Sequence, residues 1–340
     1  MHKNVGYKPI NGKRLDPATI IQSICSSDSN RHFIQSLKTN METEGLADAV
    51  NTRDSPVLFD WLMGCFSYQG ISDAIADSFI AKHGNATYSG IEKVLDGRVS
   101  SCPKLIDFES FKDCGYKKSK ATCNNAELYN SCPVNTLNLR KGQLNQAAYS
   151  LYFFIWDVCG GDLTGFIDDC LAAADLPGHP DRVALMRKAL TSRLLSIFGI
   201  AQKLINMAFA DLLIGSDRKR ARWIEVGGSM VAIDSLVHNF LHRTGILYHY
   251  GSEHKTGAAC YGKKGCAKIL DDIARQMDCS IIDKSYPVYF PRFIQHAIWS
   301  YCAESGSGIC NGNEIDDAFR CNQQTCIIFK DCGRVALKPR

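Results

Sequence analysis

Apolar residues recur along this chain at three- and four-residue spacing, the period of helices with one buried face. A short helix is expected from about Pro17 to Cys25 and another near Arg31 to Leu37. Ser55 can cap, and Pro56 can occupy the first turn of, a segment running through Phe66, with Leu58, Trp61, Leu62 and Cys65 on one face. A second helix runs from Ile71 to Lys82 and ends near Gly84. The pattern lapses over residues 95–138, rich in Ser, Lys, Asn, Asp and Cys, which read as a long insertion outside the core. It returns at Leu144–Val158 and Leu163–Ala174, breaks at Pro177-Gly-His-Pro180, and resumes over Asp181–Ile197. Strand-like alternation is missing from the body of the chain, so the expected fold is all-α.

Two later segments carry the chemistry. Gly199 allows a sharp turn after Leu194, Leu195 and Ile197, and Leu204, Ile205, Ala208, Leu212 and Leu213 form one stripe of the helix that follows. Backbone amides at the start of that helix can face a phosphate. Further on, the apolar run Met230-Val-Ala-Ile233 delivers Asp234 to a helix start, where a carboxylate suits the macrodipole.

Composition narrows the class. Hydrophobic residues are 45 % and charged residues 22 % of 340, which excludes collagen, coiled coil and wholesale disorder. The length predicts two lobes, and a formal charge of +4 permits an anionic partner without demanding one. The opening MHKNVGYKPINGKRLD lacks a signal-peptide core, and the greasiest run, Leu151 to Val158, is too short to span a bilayer. The expectation is a cytoplasmic protein in a reducing compartment, where sixteen cysteines serve as metal ligands or apolar filler before they serve as disulfides.

Four motifs in order then carry a resemblance. They are Gln69 within Cys65-Phe-Ser-Tyr-Gln-Gly-Ile-Ser-Asp73; Phe198-Gly-Ile-Ala-Gln-Lys203; Ala232-Ile-Asp-Ser235 with His238 and Arg243; and Cys326-Ile-Ile-Phe-Lys-Asp-Cys332. Over residues 54–94 and 140–335 the chain resembles the helix-hairpin-helix DNA glycosylases, the superfamily of endonuclease III and adenine glycosylase. Their hairpin reads roughly leucine-proline-glycine-valine-glycine-x-lysine, and their catalytic aspartate opens a helix.

The resemblance implies a two-lobed fold. A helical-barrel domain would cover 54–215, and a second domain 1–53 with 230–340, with DNA between the lobes. It makes Lys203 the amine nucleophile and Asp234 the carboxylate. It implies a bifunctional glycosylase and abasic-site lyase acting as a monomer on double-stranded DNA, without a membrane. Gln69, helped by Tyr68, would fill the gap left by an extruded base, whose unstacking costs a few kcal/mol. Gly199, Ala201, Gln202, His238, Arg218, Arg220 and Arg222 would contact DNA. Lys203 must be neutral to attack C1′, while an ionised Asp234 stabilises the charge developing on the sugar. A monofunctional glycosylase and a non-catalytic reader of modified bases are the alternatives. The target stays open among oxidised, mismatched and modified bases, including those of phage DNA that a phage-defence enzyme would meet.

Three departures stand out. Ala201 replaces the hairpin's second glycine, residues 215–229 lengthen the gap between Lys203 and Asp234, and the 95–138 insertion has no counterpart. The family's loop further implies a [4Fe–4S] cluster on Cys302, Cys321, Cys326 and Cys332, with Cys310 as a substitute for Cys302 and zinc as the alternative. Three other groups have metal-capable side chains: His238 with His242; His249, His254, Cys260 and Cys266; and Cys102, Cys114, Cys123 and Cys132. Cys25, Cys65, Cys159 and Cys170 lie in apolar helical contexts and read as packing.

Overall fold

The computed structural model describes residues 16–27, 30–68, 71, 73–97, 102–117, 120–135, 144–217 and 219–338. They are predominantly helical, and their sheet content is one two-stranded antiparallel pair. In chain order the helices are α1 (Pro17–Cys25), α2 (Phe33–Thr43), α3 (Leu46–Thr52), α4 (Ser55–Phe66), α5 (Asp73–His83), α6 (Tyr88–Asp96) and α7 (Phe108–Phe111). After the pair β1 (Tyr116–Lys117) and β2 (Thr122–Cys123) come α8 (Asn145–Phe153), α9 (Leu163–Ala173), α10 (Arg182–Leu194) and α11 (Gln202–Gly215). The last are α12 (Ala221–Ser229), α13 (Ser235–Arg243), α14 (Ile246–His249), α15 (Cys266–Ala274) and α16 (Pro291–Cys302). No helix of the described residues is long and apolar enough to cross a membrane.

The chain divides into a central unit, residues 37–227, and a terminal unit, residues 1–36 with 228–340. The expected lobes began their first division at 53/54; the observed one falls at 36/37, and residues 216–227 join the central unit.

In the central unit, local polar bonds set where helices begin. Asp54, not Ser55, caps α4: its carboxylate accepts the Val57 N–H at 3.2 Å. The Ser55 hydroxyl instead accepts the Leu163 N–H at 2.9 Å, which ties the start of α4 to the start of α9. Segment 95–138, expected outside the core, supplies part of it. Phe111 is fully buried against Tyr149 and Phe153, and Phe108 meets Phe154 edge-on at 5.4 Å. The Gln146 side-chain amide donates to the Tyr116 carbonyl at 2.9 Å, and the Asn145 amide donates to Val134. The long apolar stretch from Leu144 is α8 followed by a wider π turn over Phe154–Val158.

The 215–229 lengthening is a packed helix. Trp223 is buried, its indole N–H donating to Asp168 at 2.8 Å, and Arg220 lies over the indole ring and pairs with the same carboxylate.

The terminal unit is built on α16, against which α1, α13 and α15 pack. Phe290, Phe293, Ile294, Ala297 and Ile298 are buried there, each large side chain contributing about 1.5–3 kcal/mol by leaving water. Tyr286 fixes the edge of this core, accepting the Phe33 N–H at 2.7 Å and donating to the Asn30 carbonyl at 2.9 Å. His296 stacks on Phe33 at 4.3 Å, and burial, helped by Arg292, pushes its imidazole down to about 3. Beyond α16 the chain has no long helix. Its last segment is strapped to α13 by the Gly333 N–H on the Thr244 carbonyl and the Val335 N–H on the Arg243 carbonyl, both at 2.8 Å.

Candidate functional site

The hairpin forms as its residues dictate. Helix α10 closes at Leu194, Gly199 takes φ +83°, and α11 begins at Gln202 with Lys203 in its first turn. An L residue is strained at that φ, which explains the glycine. The Phe198 N–H donates to the Ser150 hydroxyl at 2.8 Å, and Ile200 is buried, so the turn is anchored while Phe198, Gly199 and Ala201 face solvent. Ala201 occupies the N-cap position with extended backbone and supplies no side-chain cap. The amides of the first turn are therefore not capped by the residue that normally does so. Gln202 and Lys203 are half-buried.

Asp234 stands in the other unit. It ends a buried extended run in which the Ala232 N–H faces the Gln295 side-chain oxygen at 3.4 Å and the Ile233 N–H donates to the Tyr261 hydroxyl at 2.9 Å. Its carboxylate caps α13, accepting the Val237 N–H at 2.9 Å, and remains half-buried.

One turn beyond Asp234, His238 meets a set of ligand-type side chains. His238, His254, Cys260 and Cys266 present ligating atoms that all lie within 4.8 Å of one another, so the group could hold a metal ion. The His238 Nδ1 is 3.4 Å from the Cys266 Sγ and 3.5 Å from the Cys260 Sγ, and the His254 Nε2 is 3.4 Å from the Cys266 Sγ. The Ser252 carbonyl, 2.6 Å from the His254 Nδ1, accepts its proton and leaves Nε2 as the free donor atom, the usual arrangement behind a metal-binding imidazole. Hydrogen bonds from the Cys266 thiol, from His238 and from the Gly257 amide hold the Cys260 thiol well below its ordinary range, against burial.

This grouping keeps His254, Cys260 and Cys266 of one set the sequence offered and puts His238 where that set had His249. His238, expected against DNA or beside His242, is buried among the thiols. His242 faces the Ala336 carbonyl at 3.2 Å, and His249 is exposed. The signal was the four-residue step from the Asp234 cap to His238, which turns the imidazole to the buried side of α13.

A second set lies in the C-terminal segment. Cys310, Cys321, Cys326 and Cys332 line one cavity with Arg243, Ile315, Ile328 and Phe329. The Cys332 thiol accepts the Arg334 N–H at 3.3 Å, the Ile328 amide bonds to the Cys326 thiol, and the Tyr301 hydroxyl is 3.0 Å from the same sulfur. Cys302 is not among the lining residues. It is buried at the end of α16 with its thiol bonded to that of Cys310, which does line the cavity.

The remaining predicted contacts are dispersed. The Tyr68 hydroxyl donates to Asp77 at 2.6 Å. Arg220 pairs with Asp168, and Arg222 with Asp175 at 2.6 Å, so both guanidiniums take part in ion pairs of the central unit. Arg182 and Arg222 together hold the Asp175 carboxyl down at about 2. Gln69 and Arg218 lie outside the described residues. Compared with protein-family models, curated proteins and solved structures, the chain matches none.

Proposed function

We propose that this chain is a DNA glycosylase with an associated abasic-site lyase step, in which Lys203 supplies the amine and Asp234 the carboxylate. The observation that carries the reading is the pair of helix starts: an exposed glycine hairpin followed at once by Lys203, and a buried run ending in Asp234 as an N-cap. The first suits a phosphate backbone running past a nucleophile; the second holds a carboxylate at one fixed height beside a helix N-terminus.

In this mechanism the Lys203 nitrogen attacks C1′ while the glycosidic bond breaks, its electron pair leaving on the base, which takes up a proton. Asp234 stabilises the positive charge on the sugar as that bond lengthens. Loss of the ring oxygen's bond to C1′ gives a protonated Schiff base. Removal of a C2′ proton then expels the 3′ phosphate and nicks the strand.

Zinc suits the His238, His254, Cys260 and Cys266 set. Tetrahedral zinc with Zn–N near 2.0 Å and Zn–S near 2.3 Å places nitrogen and sulfur about 3.5 Å apart. The observed separations are 3.4 and 3.5 Å. Cys310, Cys321, Cys326 and Cys332 are the thiols that would hold a [4Fe–4S] cluster: they line one cavity of about 20 Å³, which must widen to admit it, and backbone amides bond two of the sulfurs. When bound, that cluster supplies a structural clamp on the C-terminal segment.

The test is borohydride trapping on duplexes carrying oxidised, mismatched and modified bases. Wild-type protein should form a covalent adduct with at least one substrate, and Lys203→Gln should form none. Base release that survives Lys203→Gln without adduct or nick would favour the monofunctional alternative. No base release from any duplex, with DNA binding intact, would refute glycosylase activity.

A further inference from the structure

Twelve of the sixteen cysteines are accounted for by the two sets above, by Cys302 beside one of them, by Cys279 in the terminal core and by the helix-packing Cys25, Cys65, Cys159 and Cys170. The other four are Cys102, Cys114, Cys123 and Cys132, all in the segment between α6 and α8. They are spaced so that each short piece of that segment carries one: the loop before α7, the turn into β1, the end of β2 and the residue after the 3-10 helix Ala126–Ser131. All four line one cavity of about 140 Å³, together with Lys104, Phe111 and Val134.

Backbone amides reach three of the four sulfurs, although burial pushes the Cys114 and Cys132 thiols up. The Asn125 N–H donates to the Cys123 Sγ at 3.4 Å. The Tyr116 amide bonds to the Cys114 thiol and the Val134 amide to the Cys132 thiol. In each case the donor is two residues beyond the cysteine, the same relation that links Ile328 to Cys326 and Arg334 to Cys332. An amide placed there stabilises negative charge on sulfur and aims the lone pair left over at a common centre.

The segment also needs a staple. Its regular structure is two strands of two residues, a four-residue helix and short 3-10 turns, none able to stand alone.

We propose that Cys102, Cys114, Cys123 and Cys132 hold a second iron–sulfur cluster, independent of whether the chain is a glycosylase. The cavity selects a cluster over a single ion. Four thiols around one tetrahedral zinc stand about 3.8 Å apart and enclose only the ion, whereas these four line a cavity of about 140 Å³, room for the several atoms of a polynuclear core.

The experiment uses the full chain, produced with iron available and purified without oxygen. Iron, acid-labile sulfide and zinc are measured per chain for wild type, for Cys114→Ser with Cys123→Ser, and for Cys326→Ser with Cys332→Ser. Each double variant should lose half of the iron and sulfide and keep the zinc. In case the first variant folds poorly, alkylation of wild-type protein is followed by mass spectrometry before and after iron is chelated. The four thiols should be protected together and become reactive together. Iron unchanged by Cys114→Ser with Cys123→Ser, a loss of zinc in place of iron, or equal labelling before and after chelation would overturn the assignment.

Discussion

Replacing Gly265 by alanine should break the histidine–cysteine site without touching a ligand. Gly265 precedes Cys266 with φ −77°, an ordinary conformation, so backbone strain is not the reason a glycine is needed there. The reason is contact: a Cβ would lie 2.3 Å from the carbonyl oxygens of both Ala259 and Cys260. Bringing those contacts to 3.0 Å, the least that real Cβ atoms show, requires a movement of about 0.7 Å between the two sulfur-bearing segments. Metal sites tolerate errors of about 0.2 Å, so the tetrahedron cannot survive that displacement unchanged. We expect zinc affinity to fall 10- to 100-fold or more, and overpacking to cost about 1–3 kcal/mol of stability. Gly262→Ala is the matched control, because its Cβ meets the same Ala259 carbonyl at 3.2 Å, which a small adjustment relieves. Zinc retained against graded concentrations of a competing chelator, with thermal unfolding of the same samples, reads both quantities. Equal zinc affinity and equal melting temperature for the two variants would refute the reasoning.

Three further outcomes follow from the geometry. Cys310→Ala should lose the iron of the C-terminal cluster whereas Cys302→Ala keeps it, measured as iron per chain, because only the former lines the cavity. Gly199→Ala should cost about 1–2 kcal/mol, the price of φ +83° alone, since its Cβ would meet nothing closer than Ala147 at 3.7 Å; the central unit's melting temperature should fall by about 2–8 °C. His296 is held at about 3 by burial, against 6.5 when unfolded, so between those values the unfolded chain binds a proton that the native one refuses. Stability should therefore fall on acidification below pH 6.5, by up to about 1.4 kcal/mol per pH unit, and denaturant titrations of His296→Phe should show a shallower slope.

The helices were legible because their apolar spacing is local. The Ser55-Pro56 start, the break at Pro177–Pro180 and the Asp234 cap are all written within a few residues. What escaped the sequence depends on distant partners. His238 and Cys266 are 28 residues apart, and nothing near either names the other. The insertion looked coreless because its few apolar residues, Phe108, Phe111 and Val134, bury themselves against α8 instead of one another. Arg220 and Arg222 looked like a phosphate-binding run because their carboxylates, Asp168 and Asp175, lie about fifty residues earlier.

The histidine–cysteine group is placed to hold Asp234 from both directions along the chain. His238 follows it by one helical turn, so an ion on that imidazole fixes the start of α13. Cys260 is followed by Tyr261, whose hydroxyl receives the N–H of Ile233, the residue just before Asp234. Burial also pushes that phenol up, so it stays neutral and keeps the bond across the physiological range. In the mechanism proposed above, the Asp234 carboxylate would have to be held within about 0.5 Å beside the sugar. The cap bond to Val237 fixes the carboxylate only relative to its own helix. An ion shared by α13, the 252–265 loop and α15 would fix the helix itself relative to the extended run that enters it, and so would set the position of the Asp234 oxygens in the terminal unit.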